Sequence, residues 1–127
     1  MENYYLNQKV FPSSEKTIIV TNDEDYGGAH KYSFIDSLGH QNGEPVYDFH
    51  QMQTVQFVQK NIDGTMTPGV QSEQLLIALI DRHKKLNVKF PSREGALAIT
   101  KMEEALHWLE ARVKERLDRN VMGELKT

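Results

Sequence analysis

Three arginines near the C-terminus have a spacing that suits the binding of an anion. Arg112, Arg116 and Arg119 are four and three residues apart, so on an α-helix they lie on one face. Projected at about 100° per residue, this face forms a basic strip that consists of Lys101, Ala105, Trp108, Arg112, Arg116 and Arg119. Guanidinium groups bind phosphate bidentately, and a guanidinium or indole plane can stack on a base. The basic strip is therefore a candidate nucleotide site.

The same strip also has a structural interpretation. Charged stripes beside an apolar face are usually solvated or paired with acids of a partner helix. Trp108 precedes Leu109 and could belong to a core or a dimer contact. The acids of the same segment project to the opposite side of the helix, namely Glu103, Glu104, Glu110, Glu115 and Asp118. The pattern alone leaves both interpretations open.

No other pattern in the sequence favours catalysis or a metal. The absence of cysteine excludes disulfides, thiol catalysis and cysteine zinc sites, and the five histidines have no helical ligand spacing. The "YGG" at residues 26–28 lacks the strand-to-helix context of a phosphate loop, and no serine, histidine and acid combine as a triad. We therefore expect a protein that is not an enzyme and needs no metal or cofactor.

Length and charge limit the class of protein further. With 127 residues, the chain can form one compact domain or two tightly joined lobes. Its net charge of -3 lacks the basic excess of a protein whose partner is long nucleic acid. There is no apolar leader region and no run long enough to cross a bilayer. We expect a cytoplasmic protein.

The sequence pattern that predicts secondary structure changes near residue 68, from strand-like before it to helix-like after it. Alternating β-type residues predict strands at residues 17–20, 30–35, 45–49 and 54–60. The segments between them contain Asn-Gly, Asp-Gly or Gly-Gly pairs, which favour tight turns. The predicted fold is α+β, with an antiparallel β-lobe over residues 1–68 and a helical hairpin over residues 69–127. We expect the two parts to pack as one folding unit.

Two helices are predicted in the second half. The first begins at the N-cap Ser72 and closes near Asn87, and the second follows Pro91 and Ser92 and runs to about Arg119. So short a link predicts an antiparallel hairpin. The predicted buried stripe of the first helix is Leu75, Leu76, Leu79, Ile80 and Leu86, and the predicted apolar stripe of the second is Ile99, Met102, Leu106, Leu109, Val113 and Leu117. They occupy more than one flank, which predicts at least a homodimer.

Several long segments resemble one family of proteins. The segments are "GGAHKY", "TVQFVQKNIDGTMTPGVQSEQLLIALIDRHKKLN", "KFPSRE" and "RLDRNVMGELK". Together they resemble the phage-encoded Thoeris anti-defence sponges, which sequester cyclic ADP-ribose signals. The segment "FPSREGALAITKMEEALHWLEARVKER" is also similar to the helical hairpin of the phage anti-CBASS cyclic-nucleotide sponge. Asn120 replaces a glycine of the family pattern, and asparagine tolerates the left-handed conformation of a helix C-cap.

The resemblance implies a binding protein that acts in the cytoplasm of an infected bacterial cell. Its ligand would be a glycosidically cyclised ADP-ribose made by the TIR enzyme of the Thoeris system. Such sponges assemble as dimers that can build into hexamers, and some also hold cyclic di- or trinucleotides at a second site, which the resemblance leaves open here. The ligand-binding residues that it implies are Asn87, Phe90, Arg93, Thr100, Lys101, Arg112, Arg116 and Arg119. A hydrolase of the signal and a structural or protein-binding hairpin are the alternative functions.

Overall fold

A computed structural model of the protein describes residues 2–6, 16–23 and 28–119. The chain divides into two compact units, Met1–Gly69 and Val70–Thr127. The first contains antiparallel strands and the second two helices joined by a short turn. The predicted α+β class, with a small β-lobe followed by an antiparallel helical hairpin, is therefore confirmed. That the two parts fold as one unit remains a prediction of the sequence.

The first unit is organised around one long strand. Its described elements are β1 (Glu2–Leu6), β2 (Lys16–Asp23), β3 (Gly28–Gln41), β4 (Glu44–Tyr47), a 3-10 helix (Phe49–Gln51), β5 (Gln53–Gln56), β6 (Gln59–Lys60) and β7 (Met66–Thr67). β3 pairs antiparallel with β2, β4 and β5, and β1 continues the sheet beyond β2. β6 and β7 form a separate small hairpin. Every pairing among the described strands is antiparallel, as the short turn segments predict.

The turns follow the predicted chemistry. Asn42 and Gly43 join β3 to β4 with φ of 55° and 81°, the left-handed conformations that an Asn-Gly pair tolerates. In the turn between β6 and β7, the Asp63 carboxylate accepts hydrogen bonds from the backbone and hydroxyl of Thr65 at 2.9 and 2.6 Å. These bonds lower the pKa of Asp63. The predicted turn around residues 26–28 lies partly outside the described residues.

The sheet buries apolar residues together with satisfied polar ones. Val20 and Ile35 are buried, as are Thr17 and Ser33. The Thr17 hydroxyl donates to the Leu6 carbonyl at 3.2 Å, and the hydroxyls of Ser33 and Thr54 lie 2.9 Å apart. The buried hydroxyls thus have partners, which removes most of the cost of their desolvation.

Several features of the β-lobe differ from the prediction. Strand β3 covers Gly28–Gln41, although a strand was predicted only over residues 30–35, and strand β7 (Met66–Thr67) was not predicted. Strand β1 was not predicted, because its apolar run of three residues at 4–6 is short, shows no alternation and is flanked by polar residues. The strand predicted over residues 45–49 ends at Tyr47, since the Asp48 carboxylate accepts from the His50 amide at 3.1 Å and starts a 3-10 turn. The strand predicted over residues 54–60 is two strands, β5 and β6.

The second unit consists of α1 (Ser72–Lys89) and α2 (Arg93–Asp118). Ser72 is the first helical residue and not the N-cap, because the backbone amide of the N-cap Gln71 donates to Gln74 Oε1 at 2.9 Å. α1 also continues past Asn87 to Lys89. The predicted N-cap of α2 is confirmed, since Ser92 Oγ accepts from the Gly95 amide at 2.9 Å. The C-cap role predicted for Asn120 lies outside the described residues.

The two helices bury less of their apolar surface than predicted. Ile80 and Ile99 are buried, and Lys84 of α1 forms an ion pair with Glu103 of α2 at 3.3 Å. The predicted buried stripe of α1 is wrong at Leu79 and Leu86, which are exposed, and Leu117 of the apolar stripe of α2 is exposed as well. A single helix covers only a narrow arc of its neighbour, whereas the apolar arc of each helix here is wider.

Candidate functional site

The basic strip lies on one unbroken helix. α2 includes every member of the strip except Arg119, which is its C-cap. The Trp108 side chain is 70% exposed and meets the ring of His107 edge-on, with 5.5 Å between centroids. In the chain by itself Trp108 is therefore a surface aromatic and not a core residue.

The cations of the basic strip differ in whether they already have a hydrogen-bond or ion-pair partner. Arg119 forms an ion pair with Glu115, with Nη2 3.2 Å from Oε2, and Lys101 lies 3.6 Å from Glu104. Within residues 2–6, 16–23 and 28–119, no hydrogen bond or ion pair engages the exposed guanidinium of Arg112. Arg116 is half-buried and has a contact of its own. Among the three arginines of the basic strip, Arg112 is thus the one whose donors are most accessible to an anion.

The pairing of Glu115 corrects one expectation from the sequence. The helical projection placed Glu104 and Glu115 on the side opposite the basic strip, yet the Glu104 carboxylate pairs with Lys101 and that of Glu115 binds Arg119. Residues four apart differ by only about 40° around a helix, so Glu115 borders the C-terminal end of the strip. The prediction that Glu115 is independent of the strip is therefore wrong.

The turn between the helices presents an aromatic ring and a cation. Phe90 is the C-cap of α1, and its side chain is 68% exposed. Lys89 Nζ lies 5.9 Å from the centroid of this ring. Arg93 begins α2 and is exposed. A flat ring beside cations can stack on a base and attract a phosphate.

Two other predicted contact residues use their polar groups within the hairpin. Asn87 Oδ1 accepts from the Ser92 amide at 3.1 Å. The Thr100 hydroxyl donates to the Ala96 carbonyl of its own helix at 3.1 Å. Each residue therefore has a structural role, and only its remaining polar groups are available for a ligand.

The predicted site residues fall into two clusters that are far apart in one chain. The tip cluster is Asn87, Phe90 and Arg93, and the arginine cluster is Arg112 and Arg116. At about 1.5 Å per residue, Arg93 and Arg112 are roughly 28 Å apart along α2, and Thr100 and Lys101 lie between them. A separation of this size exceeds the reach of one mononucleotide-sized ligand. A single hairpin therefore does not bring all of these residues together.

The sequence did not predict a groove between the two helices, which has a volume of about 420 Å³. Its lining residues are Ile77, Ile80, Asp81, Lys84, Glu103, Leu106, His107 and Glu110. The floor is apolar, and acids outnumber lysines at the rim, which disfavours an anionic ligand. The 3.6-residue periodicity of each helix predicts which of these residues share a face of that helix. Only the packing of the two helices against each other brings the two faces together as a groove.

The described residues contain neither a candidate metal site nor a membrane-spanning helix. No group of three or more histidine or acidic side chains there could hold a metal ion. No helix in the part of the chain that the structure describes is long and apolar enough to cross a bilayer.

The fold and the surface define an α+β protein whose helical hairpin carries an exposed aromatic tip and an arginine face. Residues 50–114, about half of the chain, match the family described as Acb2/Tad1, hairpin domain. The chain belongs to this family, and the resemblance to the phage Thoeris anti-defence sponges is confirmed.

One curated relative is similar over part of the chain. It is "Thoeris anti-defense 1" of Bacillus phage SBSphiJ7, which is 48% identical over 56 residues. The similar region covers 43% of this chain and 39% of the relative. The chain thus matches well under half of the length of that protein.

Proposed function

We propose that this protein is a non-catalytic sponge that inhibits Thoeris immunity by sequestering a cyclic ADP-ribose isomer. The observation that carries the proposal is the open guanidinium of Arg112 beside Arg116, on a hairpin of the Acb2/Tad1 family. The similarity to a Thoeris anti-defence protein supports the biological role. The protein would act in the cytoplasm of the infected bacterium.

The chemistry of the two clusters fits such a ligand. A cyclic ADP-ribose contains a pyrophosphate, two riboses and an adenine. Arg112 and Arg116 can donate charge-assisted hydrogen bonds to the pyrophosphate, while the exposed Phe90 ring can stack on the adenine. Thr100 and Lys101 lie on the same helix between the two clusters, and we propose that they contact the riboses or phosphates of the ligand.

The separation of the clusters supports a site shared by two subunits. If two hairpins pair antiparallel, the tip cluster of one lies near the arginine cluster of its partner, and one ligand can contact both. The same pairing would cover the exposed Leu79, Leu86 and Leu117. We therefore propose at least a homodimer, which can build into a hexamer. A ligand enclosed between subunits would also be released slowly.

Ligand recovery tests the absence of catalysis. The protein is incubated with a cyclic ADP-ribose isomer, washed and denatured, and the supernatant is examined by mass spectrometry. We expect the cyclic molecule to return intact and to activate the Thoeris effector, with or without a chelator. Recovery of linear ADP-ribose would support the alternative that the protein is a hydrolase. A protein that retains no small molecule would support the structural or protein-binding alternative.

Subunit mixing tests the shared site. Phe90→Ala and Arg112→Ala should each bind weakly alone, because each breaks both sites of a symmetric dimer. After the two variants are mixed and allowed to exchange subunits, half of the dimers carry one intact site. About a quarter of all sites should then bind with the affinity of the parent. Calorimetry measures this fraction, and light scattering measures the assembly.

Two results would contradict the shared site. One is a monomer that still binds the ligand at every accessible concentration. The other is a mixture that exchanges subunits and yet regains no binding.

A thermal-shift screen determines the range of ligands. Because a tight ligand raises the melting temperature by mass action, the screen compares cyclic ADP-ribose isomers with cyclic dinucleotides and cyclic trinucleotides. We expect a shift with at least one cyclic ADP-ribose isomer. A cyclic oligonucleotide that adds a further shift to the saturated protein would establish a second site.

A further inference from the structure

The turn that carries Phe90 is fixed by a set of hydrogen bonds between the two helices. The backbone amide of Phe90 donates to the Leu86 carbonyl at 2.7 Å, which closes α1. Two residues later, the Ser92 amide donates to Asn87 Oδ1 at 3.1 Å. The turn from Phe90 to Ser92 is therefore anchored at both ends to the last turn of α1.

Gly95 makes room for this arrangement. A β-carbon at Gly95 would lie 2.8 Å from Asn87 Oδ1 and 2.9 Å from Ser92 Oγ, closer than real β-carbon contacts. Glycine within a helix is otherwise unfavourable by about 1 kcal/mol relative to alanine. The close approach of the Asn87 side chain gives a physical reason for glycine here. We call Asn87, Ser92 and Gly95 together the tip lock.

We propose that Asn87 is a positioning residue, whose side-chain oxygen orients the turn that presents Phe90 to the ligand. The inference rests on the proposed binding of a cyclic ADP-ribose at the tip. It differs from the expectation that Asn87 is a direct ligand contact, because the oxygen already accepts from Ser92. Gly95 supports the same role, since a side chain there displaces the Asn87 oxygen.

The test compares Asn87→Ala, Asn87→Asp and Gly95→Ala. Aspartate keeps an acceptor oxygen and loses the amide donor, so it separates positioning from direct donation to the ligand. Hydrogen exchange of the Ser92 amide is measured by NMR in the ligand-free protein, and affinity for a cyclic ADP-ribose isomer is measured by calorimetry. Salt of about 0.3 M limits repulsion between the new carboxylate and an anionic ligand.

For a positioning role, Asn87→Ala should speed Ser92 exchange and weaken binding by about tenfold each, whereas Asn87→Asp should retain protection and affinity within about threefold. Gly95→Ala should also speed Ser92 exchange and weaken binding, because its β-carbon displaces the Asn87 oxygen. Loss of affinity in Asn87→Asp with full Ser92 protection would overturn the proposal in favour of direct donation. If hydrogen exchange of the Ser92 amide is unchanged in Asn87→Ala, this measurement on the ligand-free protein overturns the proposal by itself. A parent protein that binds no isomer would instead refute the proposed function.

Discussion

Replacing Arg112 or Arg116 with alanine should weaken the binding of a cyclic ADP-ribose isomer by about ten- to a hundredfold in each case. Each substitution removes charge-assisted hydrogen bonds to the pyrophosphate, worth about 1.5 to 3 kcal/mol. Lysine should restore only part of the affinity, because it keeps the charge but lacks the planar fork of donors. Calorimetry on variants first shown to be folded measures these changes.

Lys114→Ala is the matched control for charge. Lys114 is exposed on the same helix, about 200° around the axis from Arg112, so its loss removes one positive charge from the opposite side. We expect at most a twofold effect on affinity, on the scale of a screened distant charge. If Arg112→Ala and Arg116→Ala bind as tightly as the parent, the basic strip is a solvated or inter-subunit salt-bridge surface.

The structure also predicts how much Arg119, the third arginine of the basic strip, contributes to affinity. Arg119→Ala should have a smaller effect than Arg112→Ala, since the Arg119 guanidinium is already paired with Glu115. Glu115→Ala is not a neutral control, because it releases Arg119 for a new interaction. A modest gain in affinity is the expected result for that variant.

Ile80→Ala should destabilise the protein by about 2 to 5 kcal/mol, the usual cost of deleting buried aliphatic side-chain atoms. Ile80 is only 8% exposed in the hairpin. Ile77→Ala is the matched control, since the same atoms are removed from the same helix at a position that is 53% exposed. Urea denaturation monitored by the helical circular dichroism signal gives the free energy of unfolding of each variant.

Comparing Ile77→Ala with Ile80→Ala also tests whether the protein forms oligomers. If Ile77→Ala costs less than Ile80→Ala at every protein concentration, Ile77 remains a surface residue in solution. A cost for Ile77→Ala that approaches that of Ile80→Ala, and depends on protein concentration, would show that another subunit covers the exposed position. An effect of Ile80→Ala below about 0.5 kcal/mol, typical of surface positions, would contradict its place in the core.

Local signals predicted most of the fold because they act over a few residues. The Asn42-Gly43 pair specifies its turn through left-handed backbone angles, and Ser92 begins α2 by capping a free amide. The boundaries near Asp48 and Gln71 differ because side-chain hydrogen bonds at each boundary select the first helical residue. Propensity does not resolve such choices.

The sequence by itself determined the fold class, the hairpin and the alignment of Arg112 and Arg116 on one face, since helical periodicity fixes that alignment. Only the tertiary structure decided how each predicted site residue is engaged. It leaves Arg112 open and commits the Asn87 oxygen to the Ser92 amide across the turn between the helices, whereas the Arg119–Glu115 pair is an i,i+4 contact that the spacing already allows. The physical reason is that periodicity fixes direction around an axis, whereas engagement depends on distances between atoms that meet only when the helices fold and pair.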